Sequence, residues 1–295
     1  MQKIPILTTG LTGLVGSRIA EMLGDRFEFF NMDLTIGVDI TDKNKVRDFI
    51  KTHFAKVMIH LAAFTDMNAA FEQTDDKQGL CYQVNVIGTK NIAQICKEND
   101  IYLIHISTGL VFDGTQTQPY RESDPRNPIE WYGQTKAWAE EEVEKKLTHY
   151  AIARIDYPFR AKFTAKPDIV AKIKQGLVNN SLYPQFSDMI ITPTYIDDMA
   201  QAIEVIIKKQ PQGIYQLNNS TSLSTYELAK KVAEIFGFDS KIVKKGSLEE
   251  YLKTTNRPYQ KTMRISNEKV QRELGLKSMT IDEALKDIKT QLDLD

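Results

Sequence analysis

A tyrosine and a lysine four residues apart stand at the start of a segment with helical patterning, residues 132–146. Tyr132 and Lys136 occupy positions i and i+4, so their side chains share one face of the predicted helix. An ammonium beside a phenol stabilises the phenolate and lowers the tyrosine pKa from about 10 toward neutral pH. The pair therefore predicts proton transfer to or from a substrate oxygen, and the lysine can also hold a cofactor ribose.

The spacing of this pair is not specific, because Tyr226 and Lys230 repeat it on a later amphipathic helix that we interpret as structural. Position in the sheet separates the two pairs. Thr108 follows the predicted strand 101–107, and ligands of open α/β sheets bind at the carboxyl ends of strands. Alone, Thr108 would be a hydroxyl that satisfies a turn. Upstream of Tyr132, it predicts a hydrogen bond to a substrate carbonyl.

A glycine-rich loop joins the first predicted strand to the first predicted helix, with the spacing G-x-x-G-x-x-G. Glycines there allow a tight turn and let the backbone approach a pyrophosphate, which the positive end of the helix dipole attracts. The alternative is a plain strand-to-helix turn. The predicted cofactor-binding positions of the loop are Gly10, Gly13, Leu14, Val15 and Gly16.

An acidic residue, Asp33, follows the second predicted strand, 17 residues after Gly16. A carboxylate at this place accepts hydrogen bonds from the adenosine ribose and repels a 2′-phosphate. No arginine follows in Leu34 or Thr35 to bind such a phosphate. The pattern therefore favours NAD(H) over NADP(H), with a surface aspartate in a turn as the alternative.

These residues need a scaffold, and short apolar runs that alternate with amphipathic helices supply it. We predict strands at 4–9, 27–32, 57–62, 101–107 and 151–155, and helices at 15–23, 45–54, 81–97 and 132–146. This alternation indicates a doubly wound parallel α/β sheet, a Rossmann-like domain. It predicts a dinucleotide-binding domain over 1–157, to which 189–217 returns, and a smaller C-terminal α/β substrate lobe from 158–188 and 218–295.

The bulk composition excludes several classes of function. The chain has 295 residues, 42% hydrophobic content and a net charge of −1, with a pI near 6.5. It therefore predicts a folded protein with no nucleic-acid partner and no membrane span. Two cysteines too far apart to bridge, and no leader pattern, predict the cytoplasm. No histidine and cysteine spacing predicts a metal site, and the charged run 140–146 reads as the solvated side of a helix.

The sequence resembles the extended short-chain dehydrogenase/reductase family over almost its whole length. Four segments carry the resemblance: Thr9–Gly16, His60–Ala63, Asn85–Thr89 and Tyr132–Lys136. The resemblance implies an NAD(P)-dependent oxidoreductase with Thr108, Tyr132 and Lys136 as its catalytic triad, and a homodimer. It also implies further cofactor contacts or supporting roles at Asp39, Ile40, Leu61, Ala62, Ala63, Asn85, Tyr132, Lys136 and Tyr157.

Within the family, the chain is similar to the dTDP-4-dehydrorhamnose reductases. The similarity lies in Ser107–Gly114, Pro193–Tyr195 and Arg257–Pro258. Gly109 and Leu110 stand where those reductases usually have Asp and Tyr, and Asn68 and Phe71 stand where acidic residues are usual. Arg257 is a candidate for the substrate diphosphate, or else a surface arginine before a proline.

The same positions discriminate between reactions. Sugar-nucleotide dehydratases carry an Asp-Glu pair after the catalytic threonine, and Gly109–Leu110 has no titratable group. We therefore expect reduction of a nucleotide-linked 4-keto sugar, with hydride from the nicotinamide and a proton from Tyr132. Two alternatives stay open. One is an NAD-dependent sugar-nucleotide epimerase, and the other is a non-catalytic regulatory subunit resembling the β subunit of methionine adenosyltransferase.

Overall fold

A computed structural model describes residues 2–163 and 165–294. The strands are β1 (Ile4–Thr9), β2 (Phe27–Met32), β3 (Val57–His60), β4 (Tyr102–Thr108), β5 (Tyr150–Ile155), β6 (Gln185–Phe186), β7 (Ile190–Ile191), β8 (Gly213–Gln216), β9 (Leu223–Ser224) and β10 (Lys245–Gly246). The α-helices are α1 (Leu14–Leu23), α2 (Lys43–Thr52), α3 (Met67–Glu72), α4 (Leu80–Tyr82), α5 (Thr89–Glu98), α6 (Trp131–Lys146), α7 (Ile169–Val178), α8 (Ile196–Lys209), α9 (Thr225–Ile235), α10 (Leu248–Leu252) and α11 (Ile281–Asp293). Within these described residues, no helix is long and apolar enough to cross a membrane.

The central sheet has six strands in the order β2-β1-β3-β4-β5-β8. Strand β1 pairs in parallel with both β2 and β3, and β3 pairs in parallel with β4. Helices connect the parallel strands, which confirms the prediction of a doubly wound α/β fold. The chain reverses its direction of winding at β1, so the carboxyl ends of β1 and β3 flank the switch point where such sheets bind ligands.

The sheet forms where the sequence places fully apolar runs. Strands β3 and β4 are buried at every residue, as expected for central parallel strands covered on both faces. One core cluster joins these strands to helices α2, α5 and α6 through residues such as Val46, Ile92 and Val143. The predicted helix at 81–97 is a helical run from Leu80 to Glu98, interrupted by a π-helical turn that the pattern did not reveal.

The chain divides into two compact units. The first runs to Phe112 and also contains Pro125–Arg154 and Ala200–Tyr215, and the second contains Asp113–Asp124, Ile155–Met199 and the chain from Gln216 onward. The excursion over 113–124 was not predicted, and the returning segment is shorter than the predicted 189–217. The substrate role of the second unit stays a prediction.

The second unit has its own core around α7, α9 and α11. Helix α9 begins with a capping box, in which Ser224 and Glu227 satisfy each other's backbone N–H groups. Tyr226 of the second tyrosine–lysine pair packs against this core, and the ammonium of Lys245 lies 5.4 Å from the centroid of its ring. These contacts give Tyr226 a structural role in the core of the second unit.

Helix α6 is anchored by a buried carboxylate, Glu140, so the prediction that residues 140–146 form a solvated face is wrong at that end. Its two oxygens accept hydrogen bonds from Arg154 at 2.9 and 2.7 Å, from Arg126 at 2.5 Å and from the Ser107 hydroxyl at 2.5 Å. Burial opposes ionisation, but the two guanidinium groups keep the pKa of Glu140 below its ordinary value. Sequence patterning could not reveal this because the partners come from distant elements.

Replacing Glu140 by alanine should lower the free energy of unfolding by about 3–5 kcal/mol, because the buried Arg154 would lose its counter-ion, while Arg126 would keep its pair with Glu144. Urea denaturation measures this loss. The control is Glu141→Ala on the same helix, where a 3.2 Å exposed pair with Lys145 predicts a loss of at most about 1 kcal/mol. Equal losses in the two variants would contradict the anchoring role.

The same anchor predicts a pH dependence of stability. The folded pKa of Glu140 is lowered, so its stabilisation is present above the unfolded pKa and is lost as pH falls through the folded value. The difference in stability between the natural chain and Glu140→Ala should therefore narrow below about pH 4.

Candidate active site

The glycine loop meets the segment after β3 at the switch point of the sheet. Gly10 has φ +68°, and a Cβ there would lie 2.7 Å from the backbone nitrogen of Ala62. The Thr9 hydroxyl oxygen accepts a hydrogen bond from that nitrogen at 3.1 Å, and the Leu61 nitrogen donates to the Thr9 carbonyl at 3.1 Å. Only glycine allows this approach, and the structure thus brings Gly10 together with the predicted cofactor residues Leu61, Ala62 and the adjoining Ala63.

The N-terminus of α1 forms a cradle lined by backbone. Gly13 is the N-cap in an extended conformation, and within the described chain it makes no side-chain capping hydrogen bond. A Cβ on Gly13 would meet only the Gly10 carbonyl, at 3.4 Å, whereas a Cβ on Gly16 would lie 2.6 Å from the Leu11 Cα. Gly16 therefore serves packing of the loop. The backbone at Gly13, followed by Leu14 and Val15, forms the positive end of the helix.

Asp33 caps a short 3₁₀ turn after β2. Its carboxylate accepts hydrogen bonds from the Thr35 nitrogen at 2.9 Å and hydroxyl at 2.5 Å, and from the Asn31 amide at 2.5 Å. The Thr35 contacts, the largest cause, lower the pKa of Asp33, so the group is anionic at neutral pH. The Asn31 side chain also accepts from the Leu11 nitrogen at 3.1 Å, which ties Asp33 to the glycine loop.

Asp39 and Ile40 lie on the loop before α2. Asp39 accepts hydrogen bonds from the Thr41 nitrogen and hydroxyl at 2.9 and 2.8 Å, so it too stabilises a turn. Ile40 is buried, and Gly88 makes room for its side chain, since a Cβ there would lie 2.6 Å from its Cδ1. The Ile40 carbonyl accepts a hydrogen bond from Asn91 at 3.1 Å.

Asn85 sits in the π-helical turn Gln83–Gly88 and links two parts of the site. Its amide oxygen accepts from the Phe64 nitrogen at 2.8 Å, and its amide nitrogen donates to the Thr135 hydroxyl at 3.0 Å. Thr135 in turn donates to the Tyr132 carbonyl at 2.8 Å. Because these groups are buried, Asn85 holds the chain after Ala63 against the first turn of α6.

The first turn of α6 packs directly on the turn that follows β4. Glu130 caps the helix by accepting hydrogen bonds from the nitrogens of Tyr132 and Gly133 at 2.9 and 2.6 Å. A Cβ on Gly133 would lie 2.2 Å from the Leu110 carbonyl oxygen, so only glycine permits this contact. The buried Thr108 hydroxyl accepts a hydrogen bond from the Leu110 nitrogen at 3.2 Å, so it satisfies the turn after β4 as expected for a hydroxyl at a strand end.

Lys136 is buried below the half-buried Tyr132, one helical turn along α6. Its ammonium donates to the Ile106 carbonyl at 2.8 Å and lies 3.3 Å from Nε2 of His105. Burial lowers the pKa of Lys136 to about 8, while the negative charge of Glu140 opposes that shift. At neutral pH the group is mostly protonated, which is the state that stabilises a phenolate.

Sequence reasoning missed His105, Asn31 and the anchor Glu140. The signal for His105 was present: it is the one strongly polar side chain between Tyr102 and Ile106 in an otherwise apolar strand. Of the remaining predicted site residues, Tyr157 and Arg257 belong to the second unit. Tyr157 has φ +39°, and the Arg257 guanidinium stacks 3.8 Å from the ring centroid of Tyr259.

Among the described residues, no group of three or more His, Cys, Asp or Glu side chains is placed to hold a metal ion. The site instead combines a backbone cradle at a helix N-terminus with a tyrosine and a buried lysine on α6 and a hydroxyl at the end of β4. This arrangement can bind a dinucleotide and move one proton.

Comparison with known proteins places this geometry in a family. Residues 4–294 match the family described as RmlD substrate binding domain. The spore coat polysaccharide biosynthesis protein SpsK of Bacillus subtilis is 30% identical over 257 residues, which cover 86% of each chain.

Solved structures agree. A dTDP-4-dehydrorhamnose reductase of Clostridium acetobutylicum superimposes with a TM-score of 0.89 at 27% identity, over 98% of this chain and 100% of the other. The Bacillus anthracis dTDP-4-dehydrorhamnose reductase in complex with NADP also gives 0.89, over the same shares of the two chains, but at 24% identity it supports the fold alone. The predicted resemblance to NAD(P)-dependent oxidoreductases of the extended short-chain type is thus confirmed, and the chain belongs to the RmlD substrate binding domain family.

Proposed function

We propose that this chain is an NAD(P)H-dependent reductase that converts the keto group of a nucleotide-linked 4-keto sugar into an alcohol. The observation that carries the proposal is the buried Lys136 ammonium one turn after Tyr132, on a helix whose start packs against the end of β4. A binding module has no need to bury a lysine in this way, because desolvating an ammonium is costly.

The residues at the switch point fit a dinucleotide. The Gly13 backbone, where a Cβ would touch the Gly10 carbonyl at 3.4 Å, and the helix N-terminus that follows it suit a pyrophosphate, and Asp33 is an anionic acceptor suited to a ribose. Gly10, Leu61, Ala62 and Ala63 line the same end of the sheet. When bound, the reduced nicotinamide supplies a hydride for a carbonyl carbon.

The side chains then handle the proton and the oxygen. Tyr132 donates its phenolic proton to the oxygen of the carbonyl as negative charge develops there. The ammonium of Lys136 stabilises the resulting phenolate and holds a cofactor ribose hydroxyl. The Thr108 hydroxyl orients the carbonyl, and Asn85 keeps the first turn of α6 in place.

The substrate class rests on the family and on two positions after Thr108. The Gly109–Leu110 pair offers no acid or base, so elimination of water has no residue to promote it. The Clostridium acetobutylicum relative with a solved structure is named as a dTDP-4-dehydrorhamnose reductase. A guanidinium is suited to a diphosphate, and Arg257, braced on Tyr259, is our candidate for that part of the substrate.

A panel of nucleotide 4-keto sugars with NADH or NADPH tests the reaction. A reductase oxidises the cofactor in proportion to the sugar converted, which the nicotinamide absorbance reports. Interconversion of sugars without net oxidation would instead indicate an epimerase. Cofactor binding without turnover of any sugar would indicate a regulatory subunit.

Replacing Tyr132 by phenylalanine should lower kcat by about 100-fold or more, because the variant keeps the ring but loses the proton donor. The matched control is Tyr226→Phe, which alters the second tyrosine–lysine pair and should retain full activity. An unchanged rate in the Tyr132 variant would refute the proposed proton transfer. The same assay on both variants, with circular dichroism to verify folding, decides the matter.

Replacing Gly13 by alanine should weaken NADH binding by about tenfold or more without loss of thermal stability, because the added methyl fills the phosphate space. Energy transfer from Trp131 and Trp138 to the bound nicotinamide measures the affinity. Gly16→Ala is the contrasting variant, and its clash with Leu11 should lower the melting temperature. Undiminished affinity in the Gly13 variant would place the pyrophosphate elsewhere.

We further propose that NAD(H) is preferred over NADP(H), because the Asp33 carboxylate repels a 2′-phosphate. Replacing Asp33 by asparagine should shift the ratio of kcat/KM values toward NADPH by roughly fivefold, the equivalent of about 1 kcal/mol between exposed charges 4 Å apart in water. Asp42→Asn, which makes the same change at the N-cap of α2, should leave the ratio unaltered. A ratio that is equal in both variants would refute the role of Asp33.

A further inference from the structure

We propose that His105 is a positioning residue whose ring nitrogen Nε2 accepts a hydrogen bond from Lys136 and holds that ammonium in place beneath Tyr132. The inference rests on the proposed function for its catalytic meaning. The contact itself is independent of any substrate.

His105 is a costly residue at its position. It lies in the middle of β4, is fully buried, and is the register partner of His60 on β3, with the ring centroids 5.3 Å apart. Its Nε2 lies 3.3 Å from the Lys136 Nζ, and in the described chain its Nδ1 has no hydrogen-bond partner. A buried polar ring is tolerated where it is hydrogen-bonded, and here Lys136 provides the bond.

The neighbouring histidine shows what a purely structural role looks like. Nδ1 of His60 lies 2.7 Å from the Thr9 hydroxyl oxygen, with which it shares a hydrogen bond. Nε2 of His60 lies 3.0 Å from the Thr89 hydroxyl oxygen, and a hydroxyl can pair with either tautomer of the ring. Both ring nitrogens of His60 are thus occupied by the scaffold, whereas His105 commits its single bond to the lysine.

Donor and acceptor roles at Lys136 follow from its charge. An ammonium has three protons and no lone pair, so Nε2 of His105 must present its lone pair and the ring proton must reside on Nδ1. Burial, followed by the nearby Lys136 charge, lowers the pKa of His105 well below its usual range, so the ring is neutral. The Ile106 carbonyl takes a second ammonium proton.

Besides Tyr132, one turn earlier on α6, the titratable groups around Lys136 are His105, His60, Glu140 and Cys81. The thiol of Cys81 is neutral because burial raises its pKa, and Glu140 is shared between two arginines. Burial lowers the pKa of Lys136, and an acceptor on the ammonium favours the charged form. Loss of the His105 acceptor should therefore make Lys136 lose its proton at lower pH.

Two amide variants isolate this acceptor. The terminal atoms of glutamine overlay Nε2 of histidine and can reach Lys136, whereas asparagine overlays Nδ1 and cannot. The probe is ¹³Cε-lysine NMR of the full chain without cofactor or substrate, with the Lys136 signal identified by its absence in Lys136→Met. We expect the Lys136 midpoint to fall by about one pH unit in His105→Asn, a tenfold change in proton affinity, and to stay near the natural value in His105→Gln.

A midpoint that moves in neither variant, or equally in both, would overturn the proposal, since a structural role predicts no difference between the two amides. His105→Phe, which keeps the ring but not the acceptor, should behave as His105→Asn and serves if the asparagine variant does not fold. In active enzyme, the alkaline limb of kcat/KM should move to lower pH in the same order. If no sugar is reduced yet the NMR order holds, the proposed function fails alone. If reduction is observed and the midpoints coincide, the role of His105 fails alone.

Discussion

The close contact between Gly133 and the Leu110 carbonyl sets the distance between helix α6 and the end of β4, and the chemistry of the site depends on it. Any side chain at Gly133 would collide with that carbonyl at 2.2 Å. The contact fixes helix α6, which carries Tyr132 and Lys136, against the turn that follows Thr108. Lower down, Glu140 fixes the same helix to β4 through Ser107.

Charges in this region are stabilised by buried hydrogen-bond acceptors and counter-ions rather than by solvent. Lys136 loses hydration but gains acceptors from Ile106 and His105, and Glu140 supplies a negative charge one turn away. Burial lowers the pKa of Lys136 to about 8, so its ammonium is mostly protonated at neutral pH. Glu140 can do this because Arg126 and Arg154 keep it ionised. The buried ion cluster is therefore both a structural anchor and part of the electrostatic setting of Lys136.

The glycine loop at the switch point and the turn after Thr108 are built differently. At the switch point, glycines and short turns present N–H groups, and these follow from chain geometry that few sequences satisfy. After Thr108 the chain has Gly109 and Leu110 in a short turn packed under α6. That turn holds the helix but gives no group for acid or base catalysis, which favours simple carbonyl reduction within this family.

Much of this could be predicted from the sequence because it is local. Apolar runs and helical periodicity predicted the alternating elements of the first unit, and the order strand, glycines, helix predicted the cradle at Gly13. The tyrosine–lysine spacing located the candidate acid, although an identical spacing at Tyr226 had to be set aside by its position.

The tertiary structure alone decided which polar residues are buried and what they meet. The sequence pattern predicts a solvated Glu140, because its partners, Arg126 and Arg154, lie 14 residues away on either side and belong to other segments. His105 reads as an irregularity in a strand until the lysine of α6 reaches it. Periodicity indicates which face of an element a side chain occupies. Its pairing and its loss of hydration depend on distant segments that fold against that face, and these two effects determine the charge of Lys136.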